Sequence, residues 1–274
     1  MILIVASEKD IASVNISRQI LRRYAFVLLP EMFQGSPSYV TEVSGRSIKL
    51  VMLQNELIYA QDLADFFEEV ELIVFVSRHS SVSGMPTLSV HTPGNLGRGD
   101  FGGIPRTVSV APANAMREAL RALVKCRDEM RIDYEVSYEC THHGPSLNVP
   151  TMFVELGSSI KQWEDLQAAE AVATATIEAV SRFGDHAAKT VIGIGGPHYS
   201  SKFTRIALEE ELAFGHIIPK YAVPVIDSEI LGQCIERTLE EVDSILLEWK
   251  GIRGEDKPSL MKILADMKIP SKKV

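Results

Sequence analysis

Two short segments of the chain concentrate side chains that can do chemistry. The segment Glu139–Ser146, ECTHHGPS, joins a carboxylate, a thiol and two adjacent histidines to a Gly-Pro pair, and the segment Ile194–Ser200, IGGPHYS, contains a similar grouping. Imidazole rings exchange protons near neutral pH, and a neutral ring nitrogen is a common metal ligand. The two segments therefore indicate a site for acid–base or metal-assisted catalysis.

Most histidines of the chain lie in a similar local context. Seven occur, and six of them are flanked by polar, Gly or Ser residues, whereas His186 is not. The six are His79, His91, His142, His143, His198 and His216. Four groups of them follow a predicted strand at its carboxyl end. Because the carboxyl ends of parallel strands form one edge of a sheet, where ligands bind, we expect these rings to share one site.

The histidine doublet poses a geometric question. Consecutive strand residues point to opposite faces of a sheet, so only one of two adjacent rings would reach the site if the strand continued. Gly144–Pro145 predicts a turn, which lets His142 and His143 face the same cavity, one acting directly while the other orients it or binds substrate. Glu139 is a nearby carboxylate that can accept a ring N–H and fix the tautomer.

Two kinds of chemistry remain open from these residue types. Zinc binds three histidines, or two histidines and a carboxylate, and leaves a position for water. The chain has no H-E-x-x-H motif, so such ligands would come from separate loops. The metal-free alternative is a histidine general base that activates water or the hydroxyl of Thr141, Ser146 or Ser200. Gly195 and Gly196 can supply backbone N–H groups to an oxyanion or let a ligand approach the backbone closely.

Short apolar runs alternate with longer segments of helical period. The predicted strands are Ile2–Ala6, Leu72–Val76, Thr87–His91, Val136–Cys140 and Val191–Ile194, with a further strand pair around a turn at Gln54–Asn55. The predicted helices are Ser7–Arg23, capped by Ser7, then Ala113–Met130, Ser159–Gly184 and Asp227–Gly251. This alternation predicts an α/β fold with a mainly parallel sheet covered by helices. The absence of a linker favours one domain over residues 1–274. The long loop TPGNLGRGDFGGIPRT is expected to be functional.

Composition narrows the class of protein. Three scattered cysteines make a disulfide framework or a Cys-rich zinc site improbable, which favours an intracellular, cytosolic protein. The longest apolar runs are too short to span a bilayer. A net charge of −8 argues against indiscriminate binding to polyanions, although a local basic patch remains compatible with it. The lysine-rich segment from Lys257 to the last residue is expected to be a solvated tail.

Taken in order, the motifs resemble those of archaeal-type D-aminoacyl-tRNA deacylases, a family shared with plants. They are SRHSS, SVHTPGNLG…DFGG, THHGPS, ELGSS…W, GIGGPHYS and FGHIIPKY, and the resemblance extends from about Met1 to Leu247. The segment beyond about Trp249 shows no such match. The resemblance implies a zinc-dependent, monomeric enzyme that hydrolyses the ester between a D-amino acid and the terminal adenosine of tRNA. It also implies a three-layer α/β/α fold with a mixed sheet, similar to the phosphorylase and peptidyl-tRNA hydrolase group.

Under that resemblance, the motif residues become candidates for particular roles. The candidate catalytic residues are Glu139, His142, His143 and His198, and the candidate zinc ligands are His91, His143, His198 and His216. The candidate substrate-binding residues are His79, Ser146, Gly195 and Gly196, together with the cations Arg78, Arg98, Arg106, Lys202, Arg205 and Lys220 for tRNA phosphates. Two alternatives stay open, namely a zinc-dependent amidase or peptidyl-tRNA hydrolase, and a non-enzymatic module that binds RNA ends.

Overall fold

The computed structural model describes residues 1–185 and 188–274, so His186 lies outside the described residues. The strands are β1 (Ile2–Ser7), β2 (Val27–Leu28), β3 (Ser38–Val43), β4 (Arg46–Leu53), β5 (Leu72–Ser80), β6 (Thr87–His91), β7 (Gly94–Asn95), β8 (Thr107–Val108), β9 (Glu135–Tyr138), β10 (Thr151–Ser158), β11 (Lys189–Gly195), β12 (Leu212–Ile218), β13 (Val242–Glu248) and β14 (Ser271–Lys273). The helices are α1 (Ile11–Arg23), α2 (Ala113–Met130), α3 (Ile160–Trp163), α4 (Leu166–Ser181), α5 (Ser201–Glu209), α6 (Ser228–Glu236) and α7 (Lys257–Met267). Short 3-10 turns lie at Leu57–Tyr59, Leu63–Phe66, Val223–Val225 and Trp249–Gly251.

Most strands belong to two sheets. The first has the order β2-β3-β4-β1-β5-β10-β6-β9, and the second has the order β12-β11-β13-β14. In the first sheet β4, β1, β5 and β10 are parallel, whereas β6 runs antiparallel to β10. The strands of the second sheet are all parallel. The predicted α/β class with a mixed, mainly parallel sheet is therefore confirmed.

Apolar side chains bury the central strands on both faces. In β1, Ile2 and Ile4 face a core shared with α1, α2 and α4, whereas Leu3 and Val5 face a second cluster that includes Leu57. Helix α2 contacts β6 of the first sheet and β12 of the second. Helices α6 and α7 pack against the other face of the second sheet. Burial of both faces is typical of parallel sheets, whose strands are apolar along their whole length.

Several predicted elements are confirmed and others are wrong in detail. The five predicted strands correspond to β1, β5, β6, β9 and β11, and the predicted helix Ala113–Met130 matches α2. Helix α1 begins later than predicted, because Asp10 rather than Ser7 caps it by accepting a hydrogen bond from Ser13 N at 3.1 Å. The segment 159–184 is divided into α3 and α4, since the Asp165 side chain caps α4.

Two further predictions are contradicted. No strand follows Gln54–Asn55; β4 instead pairs with β3 across a tight turn at Ser44–Gly45, where both residues have positive φ. The predicted helix Asp227–Gly251 is only the short helix α6, followed by strand β13. The lysine-rich segment is not a solvated tail either. It forms α7, whose Leu260 and Leu264 are buried, and β14, which pairs with β13.

The prediction of a single domain stays a prediction. In the part of the chain that the structure describes, no helix is long and apolar enough to cross a membrane.

Candidate active site

Five of the six motif histidines meet around one cavity of about 790 Å³ or directly beneath it. The ring centroids of His91 and His142 are 4.3 Å apart, those of His142 and His143 are 4.3 Å apart, and those of His142 and His198 are 4.4 Å apart. The ring of His79 is 6.0 Å from that of His198. The cavity is also lined by residues of the glycine-rich loop, including Asn95, Arg98 and Phe101.

Strand register explains how the first sheet contributes. Glu155 of β10 is paired with Ser77 of β5 and with Ser89 of β6, and the next residues on the same face are His79 and His91. Because side chains alternate along a strand, these polar groups project from one face of the sheet. The site therefore lies over a face of the first sheet rather than at a single carboxyl edge, since β6 runs opposite to β5. Gly157 leaves room for His79, because a Cβ there would lie 2.9 Å from the His79 Cβ.

The loop after β9 brings the doublet to the second sheet. Thr141 N donates to Ile217 O at 2.8 Å and Cys140 N donates to His198 O at 3.0 Å, which joins this loop to β12 and to the loop after β11. His143 has a φ of 41°, so the backbone turns there, and both His142 and His143 line the cavity. The expected turn that places both rings in one cavity is therefore present, and it begins at His143 itself.

Three of the rings hold Nδ1 against a backbone carbonyl. The Nδ1 atoms of His91, His142 and His143 lie 3.2, 2.7 and 2.7 Å from backbone carbonyl oxygens. A carbonyl only accepts, so each Nδ1 carries a proton, and Nε2 is the nitrogen that is left to bind another group. Burial lowers the pKa of His142 well below its ordinary value, and burial together with the neighbouring His91 lowers the pKa of His143 to about 4. The buried His91 Nε2 has no hydrogen-bond partner.

The other two rings lie against buried carboxylates. Glu139 accepts a hydrogen bond from His198 Nε2 at 2.8 Å, and its second oxygen lies 3.1 Å from His79 Nδ1. Glu155 accepts from Ser77 Oγ at 2.5 Å and lies 3.4 Å from the same His79 nitrogen. Burial opposes charge on these rings, but the two carboxylates raise the pKa of His79 to about 11. Contacts with Cys140 and Glu139 likewise raise the pKa of His198 to about 10.

The histidine rings in turn stabilise the ionised forms of the two carboxylates. Burial favours their neutral forms, yet the contacts from His198 and His79 hold the pKa of Glu139 well below its ordinary value. Contacts from His79 and His91 lower the pKa of Glu155 in the same way. Two imidazolium rings and two carboxylates therefore form a network with no net charge, which is how ionised groups persist in a buried site.

Two tyrosines fix the outer nitrogens of the charged rings. The Tyr199 hydroxyl lies 2.6 Å from His79 Nε2. The Tyr221 hydroxyl lies 3.3 Å from His198 Nδ1, and Cys140 Sγ lies at the same distance from that nitrogen. Every ring nitrogen of His79 and His198 thus has a partner, so neither ring can rotate without breaking a contact.

Comparison of the chain with known proteins identifies its family. A sequence model described as D-aminoacyl-tRNA deacylase matches residues 66–272. The chain belongs to this family. It is 38% identical over 261 residues to the D-aminoacyl-tRNA deacylase of Thermococcus kodakarensis, covering 93% of each chain, and 37% identical over 272 residues to that of Pyrococcus furiosus, covering 97% of each. The crystal structure of a conserved protein of unknown function superposes with a TM-score of 0.88 at 30% identity, covering 100% of this chain and 95% of the other.

The deacylase match confirms the resemblance and corrects its limit. It continues through β13, α7 and β14 to residue 272. The segment beyond Trp249 is therefore part of the family's fold, not an unrelated extension.

Some predicted site residues lie away from the cavity. His216 is buried in β12, where Thr141 Oγ1 lies 3.1 Å from Nδ1 and Arg237 O lies 3.2 Å from Nε2. Because both nitrogens have protein partners, His216 does not fit the predicted role of a zinc ligand. Ser146 donates to Thr107 O at 2.9 Å and bonds through its backbone to Gln61, so it holds the loop rather than facing the cavity.

The predicted glycine pair also has a different position. Gly195 and Gly196 have φ values of 106° and 79°, and a Cβ on Gly196 would meet the Glu248 carboxylate at 2.3 Å. The pair packs against the end of β13 and does not line the cavity. Its predicted contact with substrate is therefore not supported by the geometry.

Of the cations predicted to bind phosphates, some line the cavity and others do not. Arg78 and Arg98 line the cavity, although Arg78 already donates to the Glu56 carboxylate at 3.0 and 3.1 Å. Arg106 pairs with Asp227 at 2.7 Å, and Arg205 pairs with Glu209 at 3.6 Å. Lys202 and Lys220 lie outside the cavity lining.

Sequence reasoning missed three residues of the site. Glu155 was noted only as the start of a motif, although a carboxylate within the apolar run TMFVELGS was a usable signal. Tyr221 gave no signal apart from its place after Pro219–Lys220. Asp10, which lines the cavity, accepts from Arg78 N at 2.7 Å, and its burial raises its pKa to about 6.

Proposed function

We propose that the protein hydrolyses the ester bond of D-aminoacyl-tRNA and releases the D-amino acid and free tRNA. Family membership supports the substrate class. The observation that carries the proposal is the convergence of five histidines and two buried carboxylates on one open cavity. Perturbed pKa values concentrated in a cavity are typical of catalytic sites.

The cavity suits an aminoacyl group on a terminal nucleoside. Its volume of about 790 Å³ lies in the range of small-molecule sites. Leu57, Leu96 and Phe153 form an apolar wall for an amino-acid side chain. Phe101 and Tyr221 line the cavity with 69% and 54% of their surface exposed, so each can stack on an unpaired base. Gly144 permits close packing on the loop that carries Phe101, because a Cβ there would lie 2.2 Å from Gly103 N, and its N–H donates to Phe101 O at 3.0 Å.

We propose that His91, His142 and His143 hold a zinc ion. Their potential ligand atoms lie within 4.8 Å of one another, and their Nδ1–H groups are bound by carbonyls, as in many zinc sites. The unpartnered Nε2 of His91 also fits this assignment, since a buried acceptor without a partner is costly. His198 belongs to two overlapping sets, with Cys140 and His142 or with His79 and Glu139. When bound, zinc lowers the pKa of a bound water to about 7 and polarises a carbonyl.

The protein's own groups position the reacting ester. Glu139 accepts the Nε2–H of His198, and the opposite nitrogen of that ring meets the Tyr221 hydroxyl. The Tyr221 hydroxyl also lies 3.3 Å from Cys140 Sγ, so its proton can bond to that sulfur or point into the cavity toward a carbonyl oxygen that gains negative charge. Preorganised donors of this kind stabilise a tetrahedral intermediate without reorganisation. An aminoacyl ester is already activated, so water and such a donor suffice without a covalent intermediate.

The first test uses three substrates with one preparation of enzyme. We expect D-tyrosyl-tRNA to be hydrolysed and L-tyrosyl-tRNA to persist beyond its spontaneous rate. An N-blocked peptidyl-tRNA, the substrate of the amide-cleaving alternative, should be left intact. Cleavage of the peptidyl-tRNA alone would support the amide-cleaving alternative. Inertness toward all three substrates would leave only an RNA-binding role.

We further propose that the protein acts as a monomer in the cytoplasm. Sedimentation of the purified protein at micromolar concentration checks the monomer.

A further inference from the structure

The carboxyl edge of the second sheet carries cations and aromatic groups in a row. The strands lie in the order β12, β11, β13 and β14, and all run in the same direction. The residues at or just beyond their carboxyl ends are therefore neighbours along one edge. In spatial order they are Lys220 and Tyr221, then His198, then Trp249, then Lys273.

Two lysines, one from α7 and one from β14, lie against the ring of Trp249. The ammonium of Lys273 lies 3.7 Å from the indole centroid, and that of Lys257 lies 4.7 Å from it. Two cations on one ring repel each other, and the attraction of the ring face only partly offsets this. An anion beside the ring would relieve the repulsion. We define the Trp249 patch as Trp249 with Lys250, Lys257, Lys272 and Lys273.

The lysines of the Trp249 patch are uncompensated. Among the described residues, none of the four makes an ion pair with a carboxylate, although the chain as a whole carries a net charge of −8. Three acids are close in sequence. One carboxylate oxygen of Glu248 and one of Asp256 are buried, the Glu248 carboxylate packs against Gly196 and Gly251, and Glu255 lies 3.8 Å from Arg253. The patch is therefore a local positive surface on an acidic protein.

The patch is joined to the cavity by backbone contacts. Gly251, directly after Trp249 and Lys250, packs on Gly196, since a Cβ on Gly251 would lie 2.8 Å from Gly196 N. Lys220 N donates to Gly196 O at 2.8 Å. Gly196 precedes His198 by two residues, and β14 lies about 10 Å, or two strand spacings, from β11.

We propose that the Trp249 patch binds the phosphate backbone of the tRNA acceptor end, next to the nucleotide that enters the cavity. The inference rests on the proposed function and adds where the RNA lies. Surfaces that bind single-stranded nucleic acid combine lysines along the backbone with aromatic groups. A patch beside the cavity lets the enzyme hold the RNA body without altering the groups that contact the ester.

The experiment separates RNA binding from ester hydrolysis. The variant K257Q/K272Q/K273Q removes three charges, and R22Q/R121Q/K125Q removes three exposed charges from α1 and α2 as a matched control. Affinity for uncharged tRNA is measured from 50 to 300 mM salt. The patch variant should bind roughly tenfold more weakly near 100 mM salt, and the slope of log K against log salt should fall in magnitude by about 2 to 3. The control variant and the charge-preserving K257R/K272R/K273R should keep the wild-type affinity and slope.

A second substrate distinguishes a failure of the proposed tRNA-binding patch from a failure of the proposed deacylase function. Hydrolysis of 3′-O-(D-tyrosyl)adenosine, which has no RNA body, should be unchanged in the patch variant, whereas kcat/KM for D-tyrosyl-tRNA falls. Wild-type affinity and salt slope in the patch variant would overturn the inference and leave a protein partner as the occupant, while the deacylase function stands. Failure of the wild-type enzyme on both esters would instead overturn the proposed function, whatever the tRNA affinities show.

Discussion

Glu139 sits at the centre of the charged half of the site. Its carboxylate is buried, and the His198 hydrogen bond of 2.8 Å and the His79 contact of 3.1 Å keep it ionised. In turn it keeps His198 charged and oriented toward Tyr221. An uncharged replacement of similar shape would break this balance while leaving the fold almost unchanged.

We expect Glu139→Gln to lower kcat/KM for D-aminoacyl-tRNA by on the order of 100-fold, because the donor network loses its orienting charge. NMR titration should show the pKa of His198 moving down toward its ordinary value, a shift that a merely structural role would not produce. Glu135→Gln, at the exposed start of β9, which ends just before Glu139, is the matched control. An unchanged rate together with an unchanged His198 titration would remove Glu139 from the mechanism.

His216 predicts a pH dependence of stability. Burial lowers its folded-state pKa from 6.5 to about 4, so between these values the unfolded chain binds more protons than the folded chain. The free energy of unfolding should therefore fall as the pH drops from 6.5 to 4, with His216 contributing up to about 3 kcal/mol of the loss. Urea unfolding of wild type and His216→Gln across this range measures it. Equal slopes for the two proteins would contradict the assignment.

The residue types indicated which side chains form much of the site, but not how they are arranged. Histidines after strands indicated one shared cavity, and five of the six rings meet there. His216 lies inside β12 just as His79 lies inside β5, and the sequence does not show which of the two faces the cavity. Glu155 was missed because its strand, β10, was not predicted, so its place beside Ser77 and His79 could not be inferred.

At the scale of elements, the α7–β14 segment shows how a basic composition hides a structural role. Leu260 and Leu264 recur at helical spacing and pack with Ile230 and Ile245. Lys262 occupies the opposite, exposed face of the helix, as expected for an amphipathic element, whereas Lys257 lies on the same side as Leu264 and is half-buried.

Leu264→Ala should destabilise the protein by about 2–5 kcal/mol, because it removes a side chain that is 2% exposed and leaves a cavity. Lys262→Ala, on the exposed face of the same helix, should change stability by less than about 0.5 kcal/mol. Chemical denaturation of both variants checks this difference. Equal, small effects would mean that the segment is a solvated tail.

Strand β13 explains the clearest error of secondary structure. The segment TLEEVDSILLEWK, which contains it, is rich in Leu and Glu, which favour a helix in isolation. It forms a strand because β11 and β14 pair with it on both sides. Local propensity is weak compared with two rows of strand hydrogen bonds and a buried Ile245, and no local pattern reports such pairing.

At the scale of the whole molecule, the site exists because two sheets meet. Ser200 N donates to Tyr138 O at 2.9 Å and Cys140 N donates to His198 O at 3.0 Å, which joins the first sheet to the loop after β11. His91 and the doublet come from one side of this junction and His198 comes from the other. Such long-range contacts depend on the packed fold, so the sequence indicated the participants without their arrangement.

We expect metal binding to stabilise this junction between the two sheets. Dialysis against EDTA should abolish hydrolysis and lower the melting temperature, because His91, His142 and His143 lose the ion that joins their loops. Zinc should restore both properties, and elemental analysis should find zinc in the wild type and little in His91→Asn. Full activity of a metal-free preparation would favour a histidine base acting on water.

The most direct test of the account compares single-turnover hydrolysis of D-tyrosyl-tRNA by wild type, His142→Ala and His216→Gln, with tRNA affinity measured on the same samples. The account predicts that His142→Ala loses at least about 100-fold in rate at unchanged tRNA affinity, while His216→Gln keeps the wild-type rate at pH 7.5. A His142→Ala rate equal to that of wild type would contradict the claim that this histidine cluster hydrolyses the ester.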